Sequence, residues 1–326
     1  MAAATKGPVT RVSVIGAGYM ANKVHYPALA SLEGVRIEAI CDRNRDKLHD
    51  TAEKYGVERR YEHYQTMIED VAPEAVFAIG PPHTMYDVWM WCLEQKLNLF
   101  IEKPMGLTVH QARALAHVAE RNGCVTAVCF QRRASPMLQQ LVAACKARGP
   151  VTHASVDFIK NTPAPFLGAR DHMFDDGIHA IDTLRYICEG EVVAIHCAAR
   201  RAGVPDINVI TALLEFDSGA VGQMHCNWTT GRRAFRVAIH GLSICAAADL
   251  EGKGRLYADG DEAGAELDAR QAAGSDEWMI YCGFRAKIAE FLCGVRSSTQ
   301  PSSNFSDALK THLVAEKILA LDLLKS

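Results

Sequence analysis

The fold of this chain is indicated by a stretch near its N-terminus, Val12-Ser13-Val14-Ile15-Gly16-Ala17-Gly18-Tyr19-Met20-Ala21. Its first half reads as a buried strand, and the Gly-x-Gly-x-x-Ala spacing predicts a tight turn that opens a helix. Glycines let the backbone approach a pyrophosphate, while the helix N-terminus offers free N–H groups and its positive dipole end. We therefore expect Gly16, Gly18, Tyr19, Met20 and Ala21 to bind a dinucleotide. The alternative is a glycine turn that serves packing only.

Short apolar runs alternate with helical patterns up to about residue 130. Strands are predicted at Arg11–Ile15, Val35–Cys41, Ala75–Ile79, Leu97–Ile101 and Val125–Phe130. Helices are predicted at Met20–Leu32, Asp46–Lys54, Met85–Glu94 and Thr108–Arg121. This alternation is typical of an α/β fold with a doubly wound parallel sheet, so residues 1–130 are predicted to form a Rossmann domain.

The pattern changes after Pro136, where longer β-rich runs follow one another. Strands are predicted at Val151–Ile159, Val192–Arg200, Val209–Phe216, Ala220–Asn227 and Phe235–His240. Helices are predicted at Pro136–Lys146, Asp175–Ile187, Trp278–Phe291 and Asp307–Leu324, and an exposed loop at Ala258–Ser275. Because Asp217-Ser218-Gly219 is a hairpin turn, residues 131–326 are predicted to form an α+β domain with a mostly antiparallel sheet.

Bulk properties narrow the class of protein. The 326 residues favour two domains, and the net charge of −3 gives no electrostatic case for binding nucleic acid or an anionic membrane. No stretch is apolar for long enough to span a bilayer, and Met1–Pro8 lacks the apolar core of a signal peptide. The 11 scattered cysteines form no CxxC pair, which favours reduced thiols in the cytoplasm.

Asp42 ends the second predicted strand, where a carboxylate can bind the adenosine ribose hydroxyls. Its charge would repel a 2′-phosphate, which favours NAD. Arg43 and Arg45 follow at once and are able to bind such a phosphate, which favours NADP. The sequence leaves both cofactors open, with the balance towards NAD.

Two further strand ends carry groups suited to chemistry. Pro81 and His83, after the third strand, are expected beside the nicotinamide end of the cofactor, with a surface role for His83 as the alternative. Lys103 stands at a strand end within Glu102-Lys103-Pro104, where it is able to donate a proton or stabilise an alkoxide while Glu102 orients it. The alternative is a surface salt bridge between Glu102 and Lys103.

The run Asp175-Asp176-Gly177-Ile178-His179-Ala180-Ile181-Asp182 forms the third group of candidates. On a helix, Asp175, His179 and Asp182 share one face, and a carboxylate beside an imidazole supports proton transfer. Asp176 is expected to act only on the helix dipole. A metal site with His172 is the alternative; no metal is expected, since no HxxxH or cysteine pair joins the group.

These motifs, with Phe130-Gln131-Arg132-Arg133, together resemble the Gfo/Idh/MocA family of NAD(P)-dependent oxidoreductases along nearly the whole chain. The resemblance implies a Rossmann domain followed by a domain with an open, mostly antiparallel sheet, covered by helices on one face. The other face commonly forms dimers or tetramers. It also implies that Lys103 lies near the nicotinamide, often before a cis bond to Pro104. Asp175 and His179 match the family's aspartate and histidine, the latter a base for the substrate hydroxyl.

The expected reaction is therefore hydride transfer between nicotinamide and a hydroxyl or carbonyl carbon of a sugar, sugar derivative, inositol or related polyol. Polar groups of the sheet domain are expected to bind that substrate, with a role as surface loop residues as the alternative for each: Lys160, Asn161, Arg170, His172 and Trp228. Two alternatives remain. One is an NAD-dependent glycosidase that oxidises its substrate transiently, and the other is a non-catalytic sugar or dinucleotide sensor.

Overall fold

The computed structural model describes residues 9–164 and 170–323, so the predicted leader Met1–Pro8 lies outside the described residues. Contacts divide the chain into two compact units, 1–129 with 284–309, and 130–283 with 310–326. The sequence placed 284–309 with the second domain instead. The difference arises because Phe291 packs edge-on against Phe77 and Phe100 in the first unit, with 5.5 Å between ring centroids in each pair.

The first unit contains a six-stranded sheet. Its strands are β1 (Thr10–Ile15), β2 (Val35–Cys41), β3 (Arg59–Tyr61), β4 (Ala75–Ala78), β5 (Leu99–Ile101) and β6 (Thr126–Val128). The order is β3-β2-β1-β4-β5-β6 and every neighbouring pair is parallel, which confirms the predicted Rossmann sheet. Strands β4, β5 and β6 are buried along their whole length. The short edge strand β3 was not predicted, because its exposed arginines give no apolar run.

Helices connect these strands, and one helix from late in the chain joins the same unit. They are α1 (Tyr26–Ala30), α2 (Arg45–Tyr55), α3 (Tyr64–Val71), α4 (Pro82–Glu94), α5 (Val109–Arg121) and, late in the chain, α10 (Phe284–Ser297). The predicted helix Met20–Leu32 is divided into a π-helical turn, Ala21–His25, and α1. The predicted helix Trp278–Phe291 is also divided. Gly283, at φ +91°, interrupts it where a Cβ would lie 2.3 Å from the Gln131 carbonyl oxygen.

The second unit contains an eight-stranded sheet. Its strands are β7 (His153–Asn161), β8 (Val192–Arg200), β9 (Val209–Phe216), β10 (Val221–Asn227), β11 (Thr229–Gly241), β12 (Ile244–Asp249), β13 (Lys253–Ala258) and β14 (Ala265–Asp268). The order is β14-β13-β12-β11-β7-β10-β9-β8. Among the described strands of this sheet, β7 and β10 are the one parallel pair, so the sheet is mostly antiparallel as predicted. The expected loop Ala258–Ser275 instead contains β14 and a short helix.

Helices of the second unit are α6 (Pro136–Lys146), α7 (Ile178–Cys188), α8 (Ala269–Ala273), α9 (Trp278–Tyr281) and the C-terminal part of α11 (Phe305–Leu323). Helix α7 packs on β7 and β10, and α6 packs on β11 and β12. Along β9, buried and exposed residues alternate, as expected for a sheet with one covered face. A π-helical turn, Met173–Gly177, leads into α7. Within the described ranges, no helix combines the length and apolar character needed to cross a bilayer.

Candidate active site

The turn after β1 has two glycines in different surroundings. Gly16 has φ +108°, and a Cβ there would lie 2.0 Å from the carbonyl oxygen of Ile79. Gly18 has open space, since a Cβ at that position would meet no atom of the described residues within 4 Å. Gly16 therefore satisfies a backbone requirement of the sheet. Gly18 leaves a surface that a phosphate group is able to approach, which fits a dinucleotide.

Asp42, at the end of β2, is joined to this turn. Its Oδ2 accepts a hydrogen bond from the Ala17 N–H at 2.7 Å, and its Oδ1 accepts one from the Asn44 N–H at 2.8 Å. A carboxylate offers about four acceptor sites, so capacity remains for ribose hydroxyls. Arg45, one of the two arginines considered for a 2′-phosphate, donates its Nε–H to Glu62 at 2.8 Å.

The remaining residues expected at the cofactor are more exposed. Tyr19 is 73 % exposed and its hydroxyl accepts a hydrogen bond from Lys23 at 2.8 Å. Met20 is half-buried, Ala21 is buried and Arg43 is exposed. Pro81 and His83 are exposed at the start of α4, which follows the end of β4.

Glu102 and Lys103 follow β5 directly. Lys103 is half-buried and its bond to Pro104 is cis, as the family resemblance implies. Glu102 is buried, and His25 Nε2 lies 2.7 Å from its Oε1. Cys129 is a second partner of that carboxylate. Burial and the negative charge of Glu102 raise the pKa of its thiol well above the ordinary value.

The sequence did not identify His25 or Cys129. Their only signals are a histidine within the predicted helix Met20–Leu32 and a cysteine near the end of the predicted strand Val125–Phe130. Among the described residues, metal-ligand side chains converge within 4.8 Å at this one group, His25, Glu102 and Cys129. The first unit thus brings the ends of β1, β2, β4 and β5 to one edge of the sheet, where the predicted cofactor residues lie.

In the second unit, His179 and Asp182 occupy different environments. His179 is 7 % exposed, and its ring meets Phe130 edge-on with 6.2 Å between centroids. Asp182 is fully enclosed and accepts two hydrogen bonds from Arg133, at 2.8 and 2.5 Å. Asp182 therefore belongs to a buried ion pair. Asp175 is half-buried in the π-helical turn, outside the regular part of α7.

Three of the predicted substrate residues are joined through Asp176. The Lys160 ammonium pairs with the Asp176 carboxylate, and Trp228 donates its indole N–H to Asp176 Oδ2 at 3.1 Å. The ring of His172 stacks on Trp228, with 4.6 Å between centroids and 16° between planes. Asp176 is thus a bridging group, beyond the dipole role that the sequence suggested. Trp228 and His172 are almost completely buried, whereas the Lys160 side chain is 22 % exposed.

The other two predicted substrate residues have separate contacts. Arg170 pairs with Glu316 at 2.5 Å and with Asp171 at 3.1 Å, and its guanidinium lies 4.5 Å from the centre of the Phe174 ring. Asn161 is exposed at the end of β7, opposite Thr229 in the sheet register.

A charged cluster adds to the second unit. Glu251 accepts a hydrogen bond from Arg132 at 2.5 Å and a second from Arg233. Burial opposes ionisation of Glu251, but the two guanidinium groups outweigh it and lower its pKa to about 2. Arg132 itself is 2 % exposed and lies over the Phe235 ring at 4.3 Å.

Comparisons with known proteins agree with this architecture. Residues 10–130 match the family described as an oxidoreductase family with an NAD-binding Rossmann fold, and residues 138–243 match the GFO/IDH/MocA C-terminal domain. The chain is 24% identical to scyllo-inositol 2-dehydrogenase (NAD(+)) of Bacillus subtilis over 231 residues, which cover 68% of each chain. It is 27% identical to myo-inositol 2-dehydrogenase of Thermotoga maritima over 263 residues, 76% of this chain and 75% of the relative.

Solved structures show the same fold. A dehydrogenase from Chromobacterium violaceum superposes with a TM-score of 0.89 at 19% identity, covering 98% of this chain and 96% of that one. Levoglucosan dehydrogenase in complex with NADH gives a TM-score of 0.83 at 18% identity, with 97% and 98% covered.

Proposed function

Because this chain belongs to the Gfo/Idh/MocA family of oxidoreductases, we propose that it transfers a hydride between NAD and a sugar, sugar derivative, inositol or related polyol. In the oxidising direction, a secondary alcohol and NAD⁺ give a ketone, NADH and a proton. The observation that carries the proposal is Lys103, placed beside the buried Glu102 at the strand-end edge of a Rossmann sheet. Relatives named as inositol and D-glucoside dehydrogenases favour this reading over a glycosidase or a sensor.

The surroundings of Asp42 support NAD as the preferred cofactor. Its carboxylate faces the phosphate turn, where a 2′-phosphate would meet a negative charge. Arg45 is already paired with Glu62 and so is less available to neutralise that phosphate. The open space at Gly18 fits the pyrophosphate, and bound NAD would supply the hydride acceptor.

The protein's own groups would handle the proton and the developing charge. His179 takes the hydroxyl proton during oxidation and returns it during reduction, and Asp175 orients its imidazole. Lys103 stabilises the alkoxide with its ammonium group. These three roles follow from the family resemblance and the chemistry of the side chains.

Polar groups of the second unit would bind the substrate hydroxyls. Lys160 presents a partly exposed ammonium, and Asn161 lies next to it at the strand end. Trp228 supports this surface because its indole N–H binds Asp176, which pairs with Lys160, and His172 stacks on Trp228. Arg170 is a weaker candidate, since Glu316 and Asp171 already engage its guanidinium.

Two further features complete the proposal. The face of the second sheet that α6 and α7 leave uncovered exposes Leu213 on β9, and this face would join two or four copies of the chain.

All eleven cysteines are free, which supports a reducing compartment such as the cytoplasm.

The test begins with purified protein and fluorescence titrations of NADH and NADPH, followed by a polyol and sugar panel read at 340 nm. We expect tighter binding of NADH and turnover of at least one polyol. Lys103→Ala should abolish turnover while NADH binding stays nearly intact. If the protein binds neither NADH nor NADPH, the proposal is wrong. If Lys103→Ala leaves turnover unchanged, Lys103 has no part in the mechanism.

A further inference from the structure

A buried group in the first unit is left unused by the proposed reaction. We call His25, Glu102 and Cys129 the Glu102 cluster; their polar side-chain atoms lie within 4.8 Å of one another. His25 comes from the π-helical turn that follows the phosphate turn, and it has no exposed surface. Glu102 follows β5 and Cys129 follows β6. Three separate segments therefore meet at one carboxylate.

The Glu102 carboxylate is held from two sides. His25 Nε2 lies 2.7 Å from Oε1, the distance of a strong hydrogen bond. Cys129 keeps its proton, because burial and the Glu102 charge raise its thiol pKa, so its S–H is available as the second donor. A buried carboxylate needs such donors to remain in place.

The His25 ring has one hydrogen-bonded nitrogen and one that is buried without a hydrogen bond among the described residues. Its Nδ1 is buried and makes no hydrogen bond within the described part of the chain. The bond from Nε2 to Glu102 is thus the ring's single polar attachment among these residues. Apart from that bond, the ring contacts Phe100 edge-on, with 5.6 Å between centroids.

The segment that carries Lys103 depends on side-chain anchors. Residues 102–108 contain no strand or helix, and the sheet hydrogen bonds end where the Cys129 N–H donates to the Ile101 carbonyl at 2.9 Å. Glu102 anchors the segment before Lys103, and the fully buried Met105 anchors it after. The direction in which Lys103 leaves the sheet is therefore set in part by the Glu102 carboxylate.

His25 also belongs to the segment that follows the phosphate turn. Its neighbour Tyr26 donates its hydroxyl to the Gly16 carbonyl at 3.0 Å. Two adjacent residues of one helical segment thus contact Glu102, through His25, and the predicted pyrophosphate turn, through Tyr26.

We propose that His25 is a positioning residue: through its hydrogen bond to Glu102, it fixes Lys103 relative to the dinucleotide turn. This inference rests on the proposed hydride transfer and extends it to a residue outside the reacting groups. Misplacement of a reacting group by about 1 Å is able to cost roughly 10²-fold in rate, so loss of one anchor has a measurable effect on kcat.

Matched variants test the inference. His25→Phe keeps the ring against Phe100 but removes the donor, while His25→Gln keeps a donor. Asn122→Ala is the control, since it removes a hydrogen bond of 2.8 Å to the Leu93 carbonyl in the same unit without touching the Glu102 cluster. The readouts are kcat, KM, the NADH dissociation constant and deuterium uptake of peptides covering 102–108.

We expect His25→Phe to lower kcat about tenfold or more, with NADH affinity within about threefold of wild type, and to speed deuterium uptake over 102–108. His25→Gln should restore kcat to within about threefold, and Asn122→Ala should change neither kcat nor that uptake. Wild-type kcat in His25→Phe, or an equal loss in Asn122→Ala, would overturn the inference. If His25→Phe does not fold, His25→Leu removes the same hydrogen bond to Glu102 with a smaller side chain; an unchanged kcat and uptake there would overturn the inference as well.

Two outcomes separate this inference from the proposed function. A wild-type protein that turns over no polyol or sugar contradicts the function, while deuterium uptake still tests the anchoring of 102–108. Stoichiometric zinc in the purified protein would overturn the hydrogen-bonded interpretation of the cluster, because a metal ion would then hold the three side chains.

Discussion

The two glycines of the phosphate turn allow folding and cofactor binding to be tested apart. In Gly16→Ala, the new Cβ would lie 2.0 Å from the Ile79 carbonyl oxygen, where ordinary contact needs about 3.4 Å, so the end of β4 must move. The positive φ adds roughly 1–2 kcal/mol for a residue with a side chain. We expect a loss of about 2–5 kcal/mol in the free energy of unfolding.

Gly18→Ala should behave in the opposite way. Its methyl group meets no atom of the described chain within 4 Å and its backbone is not in the left-handed region, so stability should stay within about 0.5 kcal/mol of wild type. The methyl would occupy the space that the pyrophosphate approaches. We expect NADH affinity to fall at least about tenfold, equivalent to about 1.4 kcal/mol.

Urea denaturation and NADH fluorescence titration measure the two quantities on the same samples. If Gly18→Ala binds NADH within twofold of wild type, the prediction is wrong, because the turn would then serve packing and not approach the phosphates. A Gly16→Ala protein as stable as wild type would show that the end of β4 yields easily, contrary to its burial in the sheet.

Three further predictions concern single side chains. Asp42→Ala should reduce the preference for NADH over NADPH about tenfold in paired titrations, and an unchanged ratio would show that Asp42 does not contact the ribose. His179→Ala should lower kcat by about 10²–10⁴-fold with NADH binding unchanged, and His117→Ala, on the exposed side of α5, is its control; a loss below tenfold in His179→Ala would contradict a proton-transfer role. The pKa of Glu251 is lowered from 4.5 to about 2. Its ionised form should therefore add about 3 kcal/mol to the free energy of unfolding above pH 4.5, and this stabilisation should be lost as the pH falls towards 2. The gap in unfolding free energy between wild type and Glu251→Gln should therefore narrow by about 2 kcal/mol from pH 6 to pH 3, and parallel stability curves would contradict this account.

Local signals were sufficient for much of the fold. The glycine turn after β1 and the buried runs of β4 and β5 can be recognised within short windows of sequence. The sequence predicted one parallel and one mostly antiparallel sheet, but it predicted neither β12, β13 and β14 nor the parallel pairing of β7 with β10. Prediction was wrong where the deciding contact is distant. The break at Gly283 is required by the Gln131 carbonyl, more than 150 positions earlier in the chain, and no pattern within the helix indicates it.

In the candidate site, too, residues with local sequence signals were predicted, and pairs of residues far apart in the chain were not. Asp42 was found by its distance along the chain from the turn, and it does contact the turn. The bond between His25 and Glu102 joins positions 77 residues apart, and the bond between Trp228 and Asp176 joins positions 52 apart. Such pairs arise only when strands and helices are brought together, so single-sequence reasoning missed His25 and underestimated Asp176. The roles assigned to Lys103, Asp175 and His179 remain predictions for the experiments above.

Residues 284–309 belong to the first unit although they follow most of the second unit in the chain. This limits which fragments of the protein can be expressed separately. A fragment ending at residue 130 carries the whole nucleotide-binding motif, yet it lacks α10 and so leaves Phe77 and Phe100 without Phe291. Such a fragment would present an uncovered aromatic surface and tend to aggregate. The nucleotide-binding half is therefore not a portable module, and grafting it elsewhere requires a second segment to be carried along from near the end of the chain.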